Sequence, residues 1–310
     1  MNVRNEGIYY WDKSGGITTR AVSLASLGVT ANKIPTIAKQ ILVSDKDRHI
    51  IAFGINTISE NITTASPLCA IAVNDNVFWM GREEFYVYAG AVNKLPCTVK
   101  DYVFSDFNEQ QIQKVTAANN SSFSEIWWFY PSADSDENDR YVVFNYEQQV
   151  WYYGTMDRTC WLDRGVDALP IAASTDHYLY EQESGLDDGS TAPASAISSR
   201  IESSQIDLGD GDQFAFLSRI IPDITFRDST ANSPTATFTL GVRNFPGGKY
   251  LHTEAGTVSK TASTPVEQFT KEVRTRLRGR SFNLKVESSA TETTWRLGTP
   301  RVEIRPDGRR

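Results

Sequence analysis

The sequence predicts an all-β protein: propeller-like repeated antiparallel sheets over residues 1–190, followed by a C-terminal β-sandwich over 197–310. Three observations predict this. Aromatic, β-prone runs recur in the first part, each closed by a turn signal. Plain alternation of apolar and polar residues takes over in the last part. Helical periodicity is nearly absent, while 11% aromatic residues and 20 glycines suit a chain with many turns.

The clearest repeat runs from Glu125 to Gly154. Ile126 to Tyr130 reads as a strand that Pro131 ends, because proline cannot donate to a ladder. An acidic loop, Ser132 to Asp139, follows. Tyr141 to Phe144 and Trp151 to Tyr153 then flank the short turn Asn145 to Val150, a hairpin pattern. Weaker copies begin at Gly7, at Asn76 and Glu84, and at Ala172. Aligning Tyr10, Tyr88, Phe144 and Tyr180 gives spacings of 78, 56 and 36. Propeller blades repeat every ~40–50 residues, so the first gap has room for two blades. A meandering sandwich would give the same punctuation. The best helical candidate is Asp106 to Ala118, where Phe107, Ile112 and Val115 loosely follow the helical period; it reads as one short helix or an irregular connection.

Residues 184–197 are small, polar and aperiodic, which marks a linker or long loop. Beyond it, strands are expected at Arg200–Leu208, Leu217–Phe226 and Thr235–Phe245. Further strands are expected around Val273 and Leu277, around Phe282 to Val286, and from Trp295 to Ile304. Six or seven strands separated by Gly, Pro and Asn clusters indicate an antiparallel sandwich.

The net charge of −7 is unevenly placed. Residues 1–196 hold 14 Lys+Arg against 25 Asp+Glu, a net −11, whereas residues 197–310 hold 17 against 13, a net +4. Oppositely charged halves can attract each other between subunits. The Met1-Asn-Val-Arg-Asn-Glu start lacks a secretory pattern, and no window has the ~20 apolar residues of a membrane span. A soluble chain made in the cytoplasm is expected. Cys69, Cys97 and Cys160 are odd in number and form no Cys-x-x-Cys pair, so buried free thiols are expected.

Signatures of enzyme chemistry are missing from the sequence. There is no phosphate-binding loop, no Gly-x-Ser-x-Gly elbow and no His-Glu-x-x-His. His49, His177 and His252 stand in unlike contexts and read as turn or surface residues. The turn Asp207 to Asp212 resembles a calcium loop but carries Ser218 where the bidentate Glu belongs. It reads as a Gly-permitted turn, and Asp134 to Asp139 as a solvated hairpin tip. Hence no catalytic residue, cofactor or metal is expected. Trp127, Trp128, Trp151, Tyr152 and Trp161 would serve a sugar-stacking platform, but alternation puts Trp127 and Trp128 on opposite faces, which favours core filling. Trp151 is expected to be largely buried.

Glu272 to Arg280 carries the sharpest charge pattern. As a strand it places Val273, Thr275, Leu277 and Gly279 on one face, and Arg274, Arg276, Arg278 and Arg280 on the other. This stripe, roughly 20 Å long by strand rise, has three readings: a solvated face, a contact with an acidic neighbouring subunit, or a contact with DNA phosphates.

Several segments together resemble the tail nozzle or packaged-DNA stabilisation proteins of short-tailed bacteriophages. They are Tyr9–Asp12, Val43–Gly54, Ala72–Arg82, Asn138–Tyr146, Trp151–Thr155, Thr159–Gly165, Asn244–Gly248, Arg278–Arg280 and Trp295–Arg310. The resemblance spans nearly the whole chain. Proteins of that group look about twice as long, with a further N-terminal region and a longer insert after Asn56. The resemblance implies a virion structural protein of the tail, synthesised in the host cytoplasm. It would form a ring with itself, a homo-hexamer, and contact other tail or adaptor proteins. The ring would retain packaged double-stranded DNA and conduct it, without sequence specificity, during ejection. The rival reading is a host-surface or carbohydrate-binding module of a phage tail.

Overall fold

The computed structural model describes residues 8–11, 14, 16, 18–27, 38–43, 50–54, 64–189, 191–207, 211–245, 247–250 and 260–308. His49, His252, Asp210, Leu208 and positions 12, 44–49, 246, 309 and 310 of the resemblance lie outside the described residues, as does Asn56. The chain is mostly β, in many small antiparallel sheets, and divides into two compact units, Met1–Ser184 and Gly185–Arg310.

In the first unit, Ala70–Val73, Asn76–Met80, Phe85–Tyr88 and Val92–Leu95 form a four-stranded meander. Asn74 and Asp75, both in the left-handed region (φ 47° and 64°), make its first hairpin turn. Those residue types tolerate the two positive φ values that a two-residue turn matched to strand twist requires. A second meander comprises Thr116–Asn120, Glu125–Tyr130, Arg140–Asn145 and Val150–Thr155. Its last hairpin is fixed by the Asn145 side chain, whose Oδ1 accepts from the backbone N–H groups of Glu147 and Gln148. Cys160–Leu162, Ile171–Ala173 and Leu179–Glu181 form a third, three-stranded sheet.

These sheets stack face to face, which explains why their central strands are apolar on both sides. Trp79 and Tyr86 of the first meander pack towards Phe53 of the ribbon Ala38–Val43/Ile50–Gly54. Its opposite face, with Phe78, Met80 and Phe85, shares a core with Ile126, Trp128 and Phe144 of the second. The far side of the second meander, with Trp127, Phe129 and Val143, packs on Trp161 of the third sheet. Glu125–Tyr130 is therefore buried at every position. Trp128 is fully buried and donates from Nε1 to the Cys69 carbonyl at 2.9 Å. Trp151 is only half-buried: it caps the edge of the main core against Phe85, Trp128 and Phe144 and donates to Pro96 O at 2.8 Å.

Asp106 to Ala118, read as one short helix or an irregular connection, is irregular and holds a 3-10 segment but no α-helix. The α-helix is Lys100–Ser105, a 3-10 segment follows at Glu109–Lys114, and Thr116–Asn120 is a strand. Asn108 caps the start of the 3-10 segment: its Oδ1 accepts from Gln110 N at 3.0 Å. Ala117 and Ala118 form the outer strand of the meander because small side chains fit beside Trp127 and Trp128.

In the second unit one sheet runs in the order Ser199–Glu202, Ser281–Ser288, Thr235–Arg243, Thr261–Glu267, with Ile206–Asp207 also paired to Ser281–Ser288. Another runs Val273–Gly279, Ala215–Ile221, Arg301–Pro306. One apolar cluster draws on both sheets, including Phe238, Leu240, Phe282 and Val286 from the first and Leu217, Ile220, Val273 and Leu277 from the second. Thr261–Glu267 has no counterpart among the expected strands. It is a sheet-edge strand with one fully buried apolar residue, Val266, and an edge tolerates Pro265. The 184–197 segment contains a short ribbon: Asp187–Asp188 pairs with Ser195–Ala196, and the Asp187 carboxylate accepts from Glu292 N.

Candidate functional site: an arginine-lined sheet face

Val273–Gly279 alternates as its sequence requires. Val273, Thr275, Leu277 and Gly279 are buried; Arg274 and Arg276 are exposed. The buried side lies close to the opposing sheet. A Cβ on Gly279 would come within 2.6 Å of Val242 Cβ and 2.9 Å of Arg243 O, so only glycine fits there.

The stripe is not uniform. Arg278 and Arg280 are half-buried, with guanidinium carbons 4.0 and 4.7 Å from the Phe214 ring centroid. Arg278 also binds the Asp307 carboxylate and donates to its carbonyl at 3.1 Å. A cation over an aromatic face loses little by partial burial. Arg280 therefore belongs to this packed corner, while Arg274 and Arg276 are exposed.

The cationic face extends across the sheet instead of along one strand. Register places Phe216 between Arg278 and Arg305, and Arg219 between Arg274 and Glu303. A bulge between Leu217 and Arg219 makes this possible. It lets Leu217 and Ile220 both face the core while Arg219 turns outward, as an extra residue in one strand does. Arg219 joins Glu272 at 2.9 Å and Glu303 at 3.1 Å; Arg274 joins Glu272 at 3.0 Å, and Arg305 joins Glu303 at 2.6 Å. The hydrogen bond from Arg219, then that from Arg274, holds the Glu272 carboxyl below its usual range, and Arg305 does the same for Glu303. Exposed pairs of this kind contribute little stability, but they orient the guanidinium groups. Arg276 and Arg301 have no ion pair among the described residues. The face carries Arg219, Arg274, Arg276, Arg278, Arg301 and Arg305 against Glu272, Glu303 and Asp307, and so is net cationic. Arg219, Arg301 and Arg305 were not singled out from sequence, because only cross-strand register brings them beside the stripe.

The other polar features sit elsewhere. The loop 131–139 is pinned to the 3-10 segment: Asn108 Nδ2 donates to Ser135 O at 2.9 Å, and Asn138 Nδ2 donates to Lys114 O at 2.9 Å. Asp134, Asp136 and Glu137 stay exposed on it. Asp207 and Asp212 flank a turn at Gly211 (φ 73°), and among the described residues no group of three His, Cys, Asp or Glu side chains is placed to hold a metal. His177 is exposed in a left-handed turn position (φ 72°). Cys69 is buried, Cys97 half-buried with its thiol raised to about 11 by burial, and Cys160 exposed, so burial of all three thiols does not hold.

Among the described residues the acidic side chain Glu125 is buried. The Glu125 carboxylate accepts from Trp127 Nε1 at 2.9 Å and from the Tyr152 hydroxyl. Removal from water raises its pKa, and those two hydrogen bonds oppose the rise. Trp127 and Trp128 are both buried, so neither offers a face to a sugar. No protein-family model matches the chain, and no curated protein matches it. Among the described residues no helix is long and apolar enough to cross a membrane.

Proposed function

We propose that the chain is a virion structural protein, a subunit of a ring in the tail nozzle of a short-tailed bacteriophage. In this reading the first unit is a set of propeller blades and the second a β-sandwich. The ring, a homo-hexamer joined to other tail or adaptor proteins, walls in packaged double-stranded DNA and lets it pass at ejection. The work is mechanical: a rigid wall with charged faces and no bond-making step.

The observation that carries the reading is the stack of sequential antiparallel sheets with shared cores on successive faces. Propellers are built from repeated four-stranded antiparallel sheets, and the two four-stranded meanders of the first unit support that reading. They occur in the same chain that resembles tail nozzle proteins along nearly its whole length. The arginine face adds a pre-oriented cationic surface of the kind that protein carboxylates or phosphates recognise.

The carbohydrate-binding alternative needs exposed stacking rings, and its two adjacent tryptophans are used in packing. Sedimentation of infected-cell lysates tests the two readings together with a glycan array. Co-sedimentation of the chain with phage particles and no glycan binding is expected. A chain that stays with the soluble fraction and binds glycans would replace the tail reading.

A further inference from the structure

We propose that the arginine face of the second unit docks on the acidic loop 131–139 of a second copy of this chain. The inference rests on the ring reading and names the surfaces that would join neighbouring subunits.

Each surface carries groups held in place before the two meet. On the cationic side, Glu272 and Glu303 hold Arg219, Arg274 and Arg305 in place, while Arg276 and Arg301 are left with no ion pair among the described residues. On the acidic side, Asn108 and Asn138 anchor the loop backbone, and the Ser132 amide and hydroxyl donate to Asp139 at 2.7 and 2.8 Å. Asp134, Asp136 and Glu137 project from it, with Glu109 exposed on the adjoining 3-10 segment. Groups already fixed lose little conformational entropy on docking.

Charge decides between a protein and a polyanion. Glu272, Glu303 and Asp307 are interleaved among the arginines, and a continuous row of phosphates would be forced against them. A protein surface with discrete carboxylates avoids this, and it brings cations of its own: Lys114 and Arg140 lie beside the loop, paired with Glu137 and Asp139. The units also differ in sign. Residues 1–184 hold 14 Lys+Arg against 23 Asp+Glu, whereas 185–310 hold 17 against 15. A contact between two different patches of identical chains is heterologous, the type that forms a ring when its rotation closes and a filament when it does not.

Reciprocal charge reversal in the full-length chain tests the pairing. One variant carries Arg276→Glu and Arg301→Glu; the other carries Asp134→Lys and Asp136→Lys. Circular dichroism and melting verify that both fold, and sedimentation velocity at low and high salt follows assembly. The wild type is expected to assemble in a salt-sensitive, concentration-dependent way. Each variant alone should associate at least about tenfold more weakly, since like charges then face each other. An equimolar mixture should assemble again, because each reversed patch then meets its reversed complement. If the wild type assembles and either folded variant does so equally well, or the mixture fails to recover, the pairing is wrong while the ring stands. Normal assembly with lost binding to double-stranded DNA would assign the face to DNA and overturn the proposal. A wild type that is monomeric at every concentration would overturn the ring reading itself.

Discussion

Trp128 gives the most direct test of the stacked-sheet core. It is fully exchanged from water, lies between the rings of Phe85 (5.0 Å) and Trp151 (5.9 Å, stacked), and donates to Cys69 O. A buried tryptophan removes about 200 Å² from water, which at about 25 cal/mol per Å² is a transfer term of about 5 kcal/mol. Truncations of this type measure about 3–5 kcal/mol, so Trp128→Ala should fall near the top of that range. Trp128→Phe separates the terms. It keeps most of the ring but removes the Nε1 donor; the Cys69 carbonyl still accepts from Met80 N at 3.4 Å, so the loss should be about 1–2 kcal/mol. Urea titration followed by tryptophan fluorescence is well matched to the question, because Trp11, Trp79, Trp127, Trp128, Trp151 and Trp161 belong to the first unit and only Trp295 to the second. A Trp128→Ala variant within about 1 kcal/mol of wild type, below the range for buried aromatics, would refute the shared core.

Gly279→Ala should destabilise the second unit by about 1–3 kcal/mol through overpacking against Val242 and the Arg243 backbone; an unchanged Trp295 fluorescence transition would contradict the close approach of the two sheets. Glu125 has a raised folded-state pKa, so as pH climbs past the ordinary glutamate range the unfolded chain ionises first and stability falls, levelling off above the folded pKa. Relative to Glu125→Gln, the wild type should therefore lose stability with rising pH in that window, and a difference that grows the other way would show that the carboxylate is stabilised where it sits. Calcium and chelators should leave the melting temperature unchanged; stabilisation by several degrees on adding calcium would show that Asp207 and Asp212 bind it.

The sequence carried the central strands well and the edges poorly. Ile126 to Tyr130 and Tyr141 to Phe144 were legible because strands buried on both faces must be apolar and β-prone throughout. Thr116–Asn120 and Thr261–Glu267 were not, because outer strands with small or polar residues lack that pattern and owe their conformation to the strands they pair with. The same limit applies to the candidate site. Strict alternation revealed the Arg274–Arg276 half, whereas the bulge at Arg219 and the pairing of Phe216 with Arg305 are tertiary facts. Arg280 shows the converse: alternation aligned it with the stripe, but Phe214 draws its guanidinium into packing.

Imaging of purified virions labelled at this protein measures directly the proposed placement of the chain in a phage tail ring. Label concentrated at the tail, in a ring of identical copies on the DNA path, is the predicted result. Virions without the chain, or label on the capsid shell or on peripheral fibres, would contradict it.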